Sequence, residues 1–141
     1  MKVAIGCDHG GFDLKEIVKS VLKELGHEID DQGCDSPESV DYPNFAKAVS
    51  ALVIEGKCDR GILICGTGIG MSMAANRIPK IRAALCHEMF SARMSREHND
   101  ANVLCLGARV IGQGLAAETV RIWMTTDFAG GRHQRRIDMF K

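Results

Sequence analysis

Strand-like and helix-like segments alternate from one end of this chain to the other, and no linker interrupts them. That rhythm predicts repeated βαβ units, a parallel sheet with helices on both faces. Lys2 to Cys7 reads as the first strand. Phe12, Leu14, Ile17, Val18, Val21, Leu22 and Leu25 then recur at helical spacing until Gly26 supplies a stop. His27 to Asp31 is a weaker second strand. A helix from about Pro43 to Glu55 follows, with Asp41 as its expected cap and Gly56 at its end. Strand three is Gly61 to Cys65, and a short helix through Ala74 and Ala75 leads to strand four, around Arg82 to Cys86. The remaining segments are a helix from about Met89 to Glu97, strand five at Val103 to Leu106, a helix from Gly112 to Thr125 carrying Trp123, and a basic helical tail from Arg132 to Phe140. The expected class is α/β, a three-layer sandwich around a five-stranded parallel sheet. At 141 residues the chain is the size of one ordinary domain, so residues 1–141 are read as a single unit.

Within this frame the stretch from Gly61 to Ser72, GILICGTGIGMS, is the most telling. It reads as a buried strand that ends in a thiol, followed by a glycine loop that opens a helix. In open α/β sheets the ligand crevice lies outside the carboxyl ends of the strands, and the loop there can aim backbone N–H groups at an anion. Cys65 sits at that edge, with Gly66, Gly68 and Gly70 allowing close approach of a ligand. The commoner phosphate loops do not fit. A dinucleotide fingerprint needs a further glycine where Met71 stands, a Walker loop needs Gly-Lys-Ser/Thr at its end, and a cysteine phosphatase needs an arginine that is missing between Cys65 and Asn76. What remains is an amide-rich cradle beside a thiol, suited to an oxyanion or a hydroxylated ligand. A buried cysteine before a tight turn fits the same residues.

Eighteen basic side chains balance 18 acidic ones, so bulk charge draws neither nucleic acid nor membrane, and the expected ligand is small. No apolar run approaches a membrane span, and the start, MKVAIGCDHGG, turns polar after one short strand. These features predict a soluble, cytoplasmic protein. Six cysteines lack any C-x-x-C pair, which leaves no zinc or thioredoxin-like signal; the reduced state fits best. Cys34 and Cys58 fall near loops and carry no assigned role.

Three further clusters could serve a site. Asp8 and His9 follow strand one directly and should lie near Cys65; they suit an acid–base pair, or a cap and a turn residue. His98 and Asn99 sit just before strand five, at the end of the sheet opposite Cys65. If His98 acts with the thiol, it most simply comes from a second chain. Arg132 and Arg136 stand one helical turn apart, where two guanidiniums can grip a phosphate, although a solvated basic face has the same pattern. Arg109 and His87 are weaker candidates, and Met71, Met73, Met89 and Met94 read as core or interface filler.

Taken together, Gly6-Cys-Asp-His9, Asp41-Tyr-Pro43, Ile64-Cys-Gly-Thr-Gly-Ile-Gly70, Ser95-Arg-Glu-His-Asn-Asp100 and Gly130-Gly-Arg-His-Gln-Arg-Arg136 resemble the type B ribose-5-phosphate isomerase family, which also includes allose- and galactose-6-phosphate isomerases. The resemblance covers nearly the whole chain. It implies a Rossmann-like sandwich, a homodimer with sites at the subunit interface that can pair again as a dimer of dimers, and aldose–ketose isomerisation of a sugar phosphate without metal or other cofactor. Carried onto matching positions, it implies Cys65 as the base moving a proton between adjacent sugar carbons and His98 as the acid–base group that opens the ring. It further implies that Asp8, His9, Gly66, Gly68, Ile69, Gly70 and Asn99 bind the sugar and that Arg132 and Arg136 take the phosphate. Some members use a glutamate at the start of the following helix in place of the thiol. Here that stretch is Met71-Ser72, so the thiol stands alone.

Elementary chemistry leads to the same roles. Proton abstraction beside a carbonyl creates an enediolate whose oxyanion needs preorganised donors, which the loop amides and the Thr67 hydroxyl can supply. The expected reaction interconverts ribose 5-phosphate and ribulose 5-phosphate. A six-carbon phosphate isomerase and a non-catalytic sugar-phosphate-binding module are the alternatives.

Overall fold

A computed structural model describes residues 1–140. Five strands form one all-parallel sheet: β1 (Lys2–Cys7), β2 (Glu28–Asp31), β3 (Arg60–Cys65), β4 (Ala83–Leu85) and β5 (Val103–Gly107). Their spatial order is β2-β1-β3-β5-β4. Helices α1 (Phe12–Glu24), α2 (Tyr42–Ile54), α3 (Ile69–Asn76), α4 (Met89–Glu97) and α5 (Gln113–Thr125) connect the strands or follow them, and α6 (Arg132–Ile137) closes the described chain.

The layering follows from the strict alternation of strand side chains. Val3, Ile5 and Cys7 of β1, Ile62 and Ile64 of β3, and Leu104 and Leu106 of β5 face the apolar stripes of α1, α4 and α5. Ala4, Leu63, Cys65, Val103 and Cys105 face Ala46 and Val49 of α2 and Met71 and Ala75 of α3. The sheet is therefore covered on both sides, as the continuous apolar runs of its strands require. β3 is the central strand, paired with β1 along one edge and with β5 along the other. After β1 the chain turns outward to β2, whereas after β3 it builds the other half of the sheet. The order thus reverses between β1 and β3, and a crevice opens at their carboxyl ends.

Local details differ from the sequence expectation where side chains take over backbone roles. β4 is shorter than Arg82 to Cys86; at its start the Arg82 N–H donates to Asn102 Oδ1 (2.8 Å), and the Ala83 N–H donates to Asn76 Oδ1 (2.8 Å). Asp41 holds the cap position of α2, but its side chain makes no cap hydrogen bond. Asp8 caps the single 3₁₀ turn His9–Gly11, not α1, whose cap position is Gly11. The tail helix ends at Ile137 instead of Phe140.

Candidate active site

β1 and β3 end side by side. The Asp8 N–H donates to Ile64 O (3.1 Å), which brings Asp8 to the rim next to Cys65. A hollow of about 470 Å³ opens there, walled by Asp8, Cys65, Gly66, Thr67, Ile69 and Gly70, and completed by Tyr42, Met73 and Arg109. Cys65 is 5 % exposed and belongs to this wall. Cys65 is thus largely buried and still borders the hollow.

The loop after β3 is shaped around that sulfur. Gly68 takes φ +77°, a left-handed conformation that L side chains rarely adopt, and a Cβ there would meet Leu106 backbone at 2.9 Å. In that conformation the Gly68 N–H donates to Cys65 Sγ at 3.1 Å. A donated N–H complements a sulfur that carries negative charge. The Ile69 N–H donates to Thr67 Oγ1 (3.2 Å), which leaves the Thr67 hydroxyl proton available to another acceptor. The cradle is accordingly narrower than the sequence suggests: the Gly68 amide serves the thiol and the Ile69 amide serves Thr67. The N–H groups of Gly66 and Thr67 have no acceptor among the described residues. Both residues also wall the hollow.

Asp8 Oδ1 accepts from the Gly10 N–H (2.9 Å), which fixes its carboxylate at the rim. His9 stands next in the same turn, and its Nδ1 accepts from the Val40 N–H (3.3 Å). The ring is thereby anchored to the loop before α2, outside the residues that wall the hollow.

The other predicted residues lie elsewhere in this chain. His98 follows α4 at the amino edge of the sheet, where its ring stacks on His133 with centroids 4.3 Å apart and an interplanar angle of 13°. Desolvation, with repulsion from the neighbouring His98, Arg132 and Arg136, lowers the His133 imidazole from its ordinary value. Arg132 and Arg136 are exposed on α6. Asn99 lines a different, larger hollow of about 940 Å³ beside the free edge of β4, facing Gln134 and Ile137 of α6. One subunit therefore gathers Asp8, Cys65, Gly66, Thr67, Ile69 and Gly70, and separately gathers His98 with the basic tail.

Three wall residues carried little sequence signal. Tyr42 lies against Gly70, so close that a Cβ there would be 2.7 Å from the phenol ring. Arg109, which the sequence ranks low, lays its guanidinium against Gly66 and lines the hollow. Its position two residues past β5, beside the switch strand, was the available clue. Met73, expected as filler, is 67 % exposed at the mouth. All six cysteines are free and buried. No group of His, Cys, Asp or Glu among the described residues has the arrangement of a metal site, and no described helix is long and apolar enough to cross a membrane.

Comparison with known proteins places this architecture. The profile of the family described as Ribose/Galactose Isomerase matches residues 3–140. The solved structure of Clostridium thermocellum ribose-5-phosphate isomerase B superposes with a TM-score of 0.96 at 54 % identity, covering 98 % of this chain and 93 % of that one. Ribose-5-phosphate isomerase B of Escherichia coli is 50 % identical over 137 residues, 97 % of this chain and 92 % of its own length. D-erythrulose-4-phosphate isomerase of Pectobacterium atrosepticum is 40 % identical over 139 residues, 98 % of this chain and 91 % of its own. With a fold, a thiol-bearing glycine loop and a profile match that all span the same residues, the chain belongs to the Ribose/Galactose Isomerase family.

Proposed function

We propose that this chain interconverts ribose 5-phosphate and ribulose 5-phosphate in a site that two copies of the chain build together. One observation carries the reading: Cys65, whose Sγ holds the Gly68 N–H, borders the hollow beside two amides with no acceptor among the described residues. The names of the E. coli and C. thermocellum relatives support the five-carbon substrate. In the forward direction the Cys65 thiolate removes the proton on C2 of the open aldose. The C–H electrons form a C1–C2 double bond, and the carbonyl oxygen takes up the negative charge. The Gly66 and Thr67 N–H groups and the Thr67 hydroxyl receive that oxyanion. The thiol then returns its proton to C1 while the C2 hydroxyl passes its own proton to the C1 oxygen, so that the C1–C2 double bond becomes the C2 carbonyl and the ketose is left.

Asp8 and His9 orient the sugar hydroxyls. His98 assists ring opening, Asn99 binds the sugar, and Arg132 and Arg136 grip the phosphate. Because these last four lie apart from Cys65 in one chain, a second copy supplies them across a two-fold interface. A phosphate held far from C1 and C2 uses binding energy to aim the reacting carbons at the sulfur. Six reduced thiols suit a cytoplasmic setting.

The test is incubation with ribose 5-phosphate in deuterated water, with chelator present, for the wild type and Cys65→Ala. Ketose formation with solvent deuterium incorporation, lost in the variant, is the expected result. Turnover that survives Cys65→Ala removes the thiol from the mechanism, and sugar-phosphate binding without turnover or exchange identifies a binding module. The relative named for a four-carbon substrate makes chain length a second question, answered by running four-, five- and six-carbon phosphates in the same assay. Mixed Cys65→Ala and His98→Ala subunits should regain part of the activity; no recovery despite proven exchange removes the shared site.

A further inference from the structure

We infer that His87 is a positioning residue for this site, acting as a substitute backbone acceptor that locks the end of β5 against the catalytic loop. The inference rests on the reading of the Cys65 loop as the site of chemistry. His87 does not wall the hollow, and nothing in the mechanism uses it. Its ring is nevertheless committed: the Gly107 N–H donates to His87 Nε2 at 3.1 Å.

The reason lies in the sheet. β4 stops at Leu85, opposite Cys105, and its last backbone bond to β5 is the Cys86 N–H donated to Cys105 O (3.2 Å). In a parallel strand the next amide facing the same neighbour is two residues on, at Gly107. No strand remains there to accept it. The imidazole of His87 supplies the missing acceptor, which requires a neutral ring with a lone pair on Nε2.

Gly107 in turn is the hub of the site's far wall. It pairs with Cys65 across β3 and β5. A Cβ at Gly107 would sit 2.5 Å from Thr67 O and 2.9 Å from His87 Nε2, so ring, strand end and glycine loop are in close contact. The two residues that follow stitch the same junction: the Ala108 N–H donates to Cys65 O and the Arg109 N–H to Gly66 O, both at 2.9 Å. Through this run the imidazole sets the height of Thr67, the direction of the Gly66 carbonyl and the base of the Arg109 side chain. Releasing it frees the strand end on the side away from Cys65, and misplacement of donors by even a fraction of an ångström weakens transition-state stabilisation more than substrate binding.

The experiment compares the wild type with His87→Ala, His87→Asn and His87→Gln. Gln places its amide oxygen where Nε2 stood, whereas Asn is too short to reach Gly107. For Ala and Asn, kcat is expected to fall about tenfold with KM within about twofold, and the Gly107 amide to exchange faster with deuterated water, read by NMR. Gln should restore both. Unchanged Gly107 exchange in Ala and Asn, or Gln restoring exchange without restoring kcat, overturns the inference. Should the wild type turn over no sugar phosphate, the proposed function falls. The positioning role is then decided by Gly107 exchange together with the rate of Cys65 alkylation by iodoacetamide: changed in Ala and Asn and recovered in Gln upholds it, and any other pattern rejects it.

Discussion

The two ends of β3 bury polar groups in opposite ways. At its first residue, the Arg60 guanidinium donates to Trp123 O (3.0 Å) and Met124 O (3.2 Å), the carbonyls that end α5. It also lies 5.3 Å from the Trp123 ring, with Arg96 at 5.9 Å from the same ring. Burial and the charge of Arg96 pull the Arg60 side chain down to about 10. Its donors are directed inward, onto peptide groups that would otherwise be orphaned. At its last residue, Cys65 receives the Gly68 amide, and the N–H groups of Gly66 and Thr67 have no acceptor among the described residues. Burial alone does not separate structure from chemistry. The separation comes from whether the polar valences near the buried group are already used.

That contrast can be broken most sharply at the sulfur. Cys65→Ala should lower kcat by about 10³-fold, the scale of a lost general base, with little change in melting temperature. Loss of fold instead would put Cys65 in the same class as Arg60. Gly68→Ala comes next. A Cβ at φ +77° against Leu106 and Leu85 strains the loop that aims its N–H at sulfur, so kcat should fall about 10²-fold and stability by about 2 kcal/mol in urea denaturation. Normal turnover would show that the Gly68 amide is not needed.

Arg60→Met should do the reverse. Two α5 carbonyls lose their donor, for a cost of about 3 kcal/mol, read as a fall in melting temperature of roughly 10 °C. Turnover at a permissive temperature should stay within about twofold; a larger loss would mean that the two ends of β3 are coupled.

The smallest effect concerns the thiols that are not at the rim. Burial pushes Cys86 up to about 11, and pushes Cys105 and Cys7 upward as well, with Cys34 adding to the effect on Cys7. The folded state thus keeps these protons after the unfolded chain has begun to release them. Their contribution is complete below about pH 9, the ordinary range, and is lost as pH climbs toward the folded values. The unfolding free energy from urea titrations should fall between pH 9 and 11, and Cys86→Ala should flatten that slope. A slope unchanged in Cys86→Ala would remove this thiol from the alkaline loss.

Much of the fold was legible because period-two and period-3.6 patterns report directly on which faces are buried, and every expected strand and helix is present within a few residues. That Asp8, Thr67 and the glycine loop share one hollow was legible because they are local to strand ends. Side chains standing in for backbone were not. His87 completing β5, Asn76 and Asn102 accepting at the start of β4, and Lys15, buried on α1 with its ammonium on Asp31 and Cys34 O, depend on partners distant in sequence. Arg109 was underrated for a related reason. Its position acquires meaning only once β5 is known to lie beside β3, which alternation of elements does not specify.

β3 is bonded along both of its edges, so the sulfur at its end sits on the stiffest ground the molecule offers. The loop that follows it is less tightly bonded, with the Gly66 and Thr67 N–H groups unpaired among the described residues. On the proposed mechanism the sheet therefore sets where the proton is taken, and the looser margins of the hollow set how long a carbon chain fits against it.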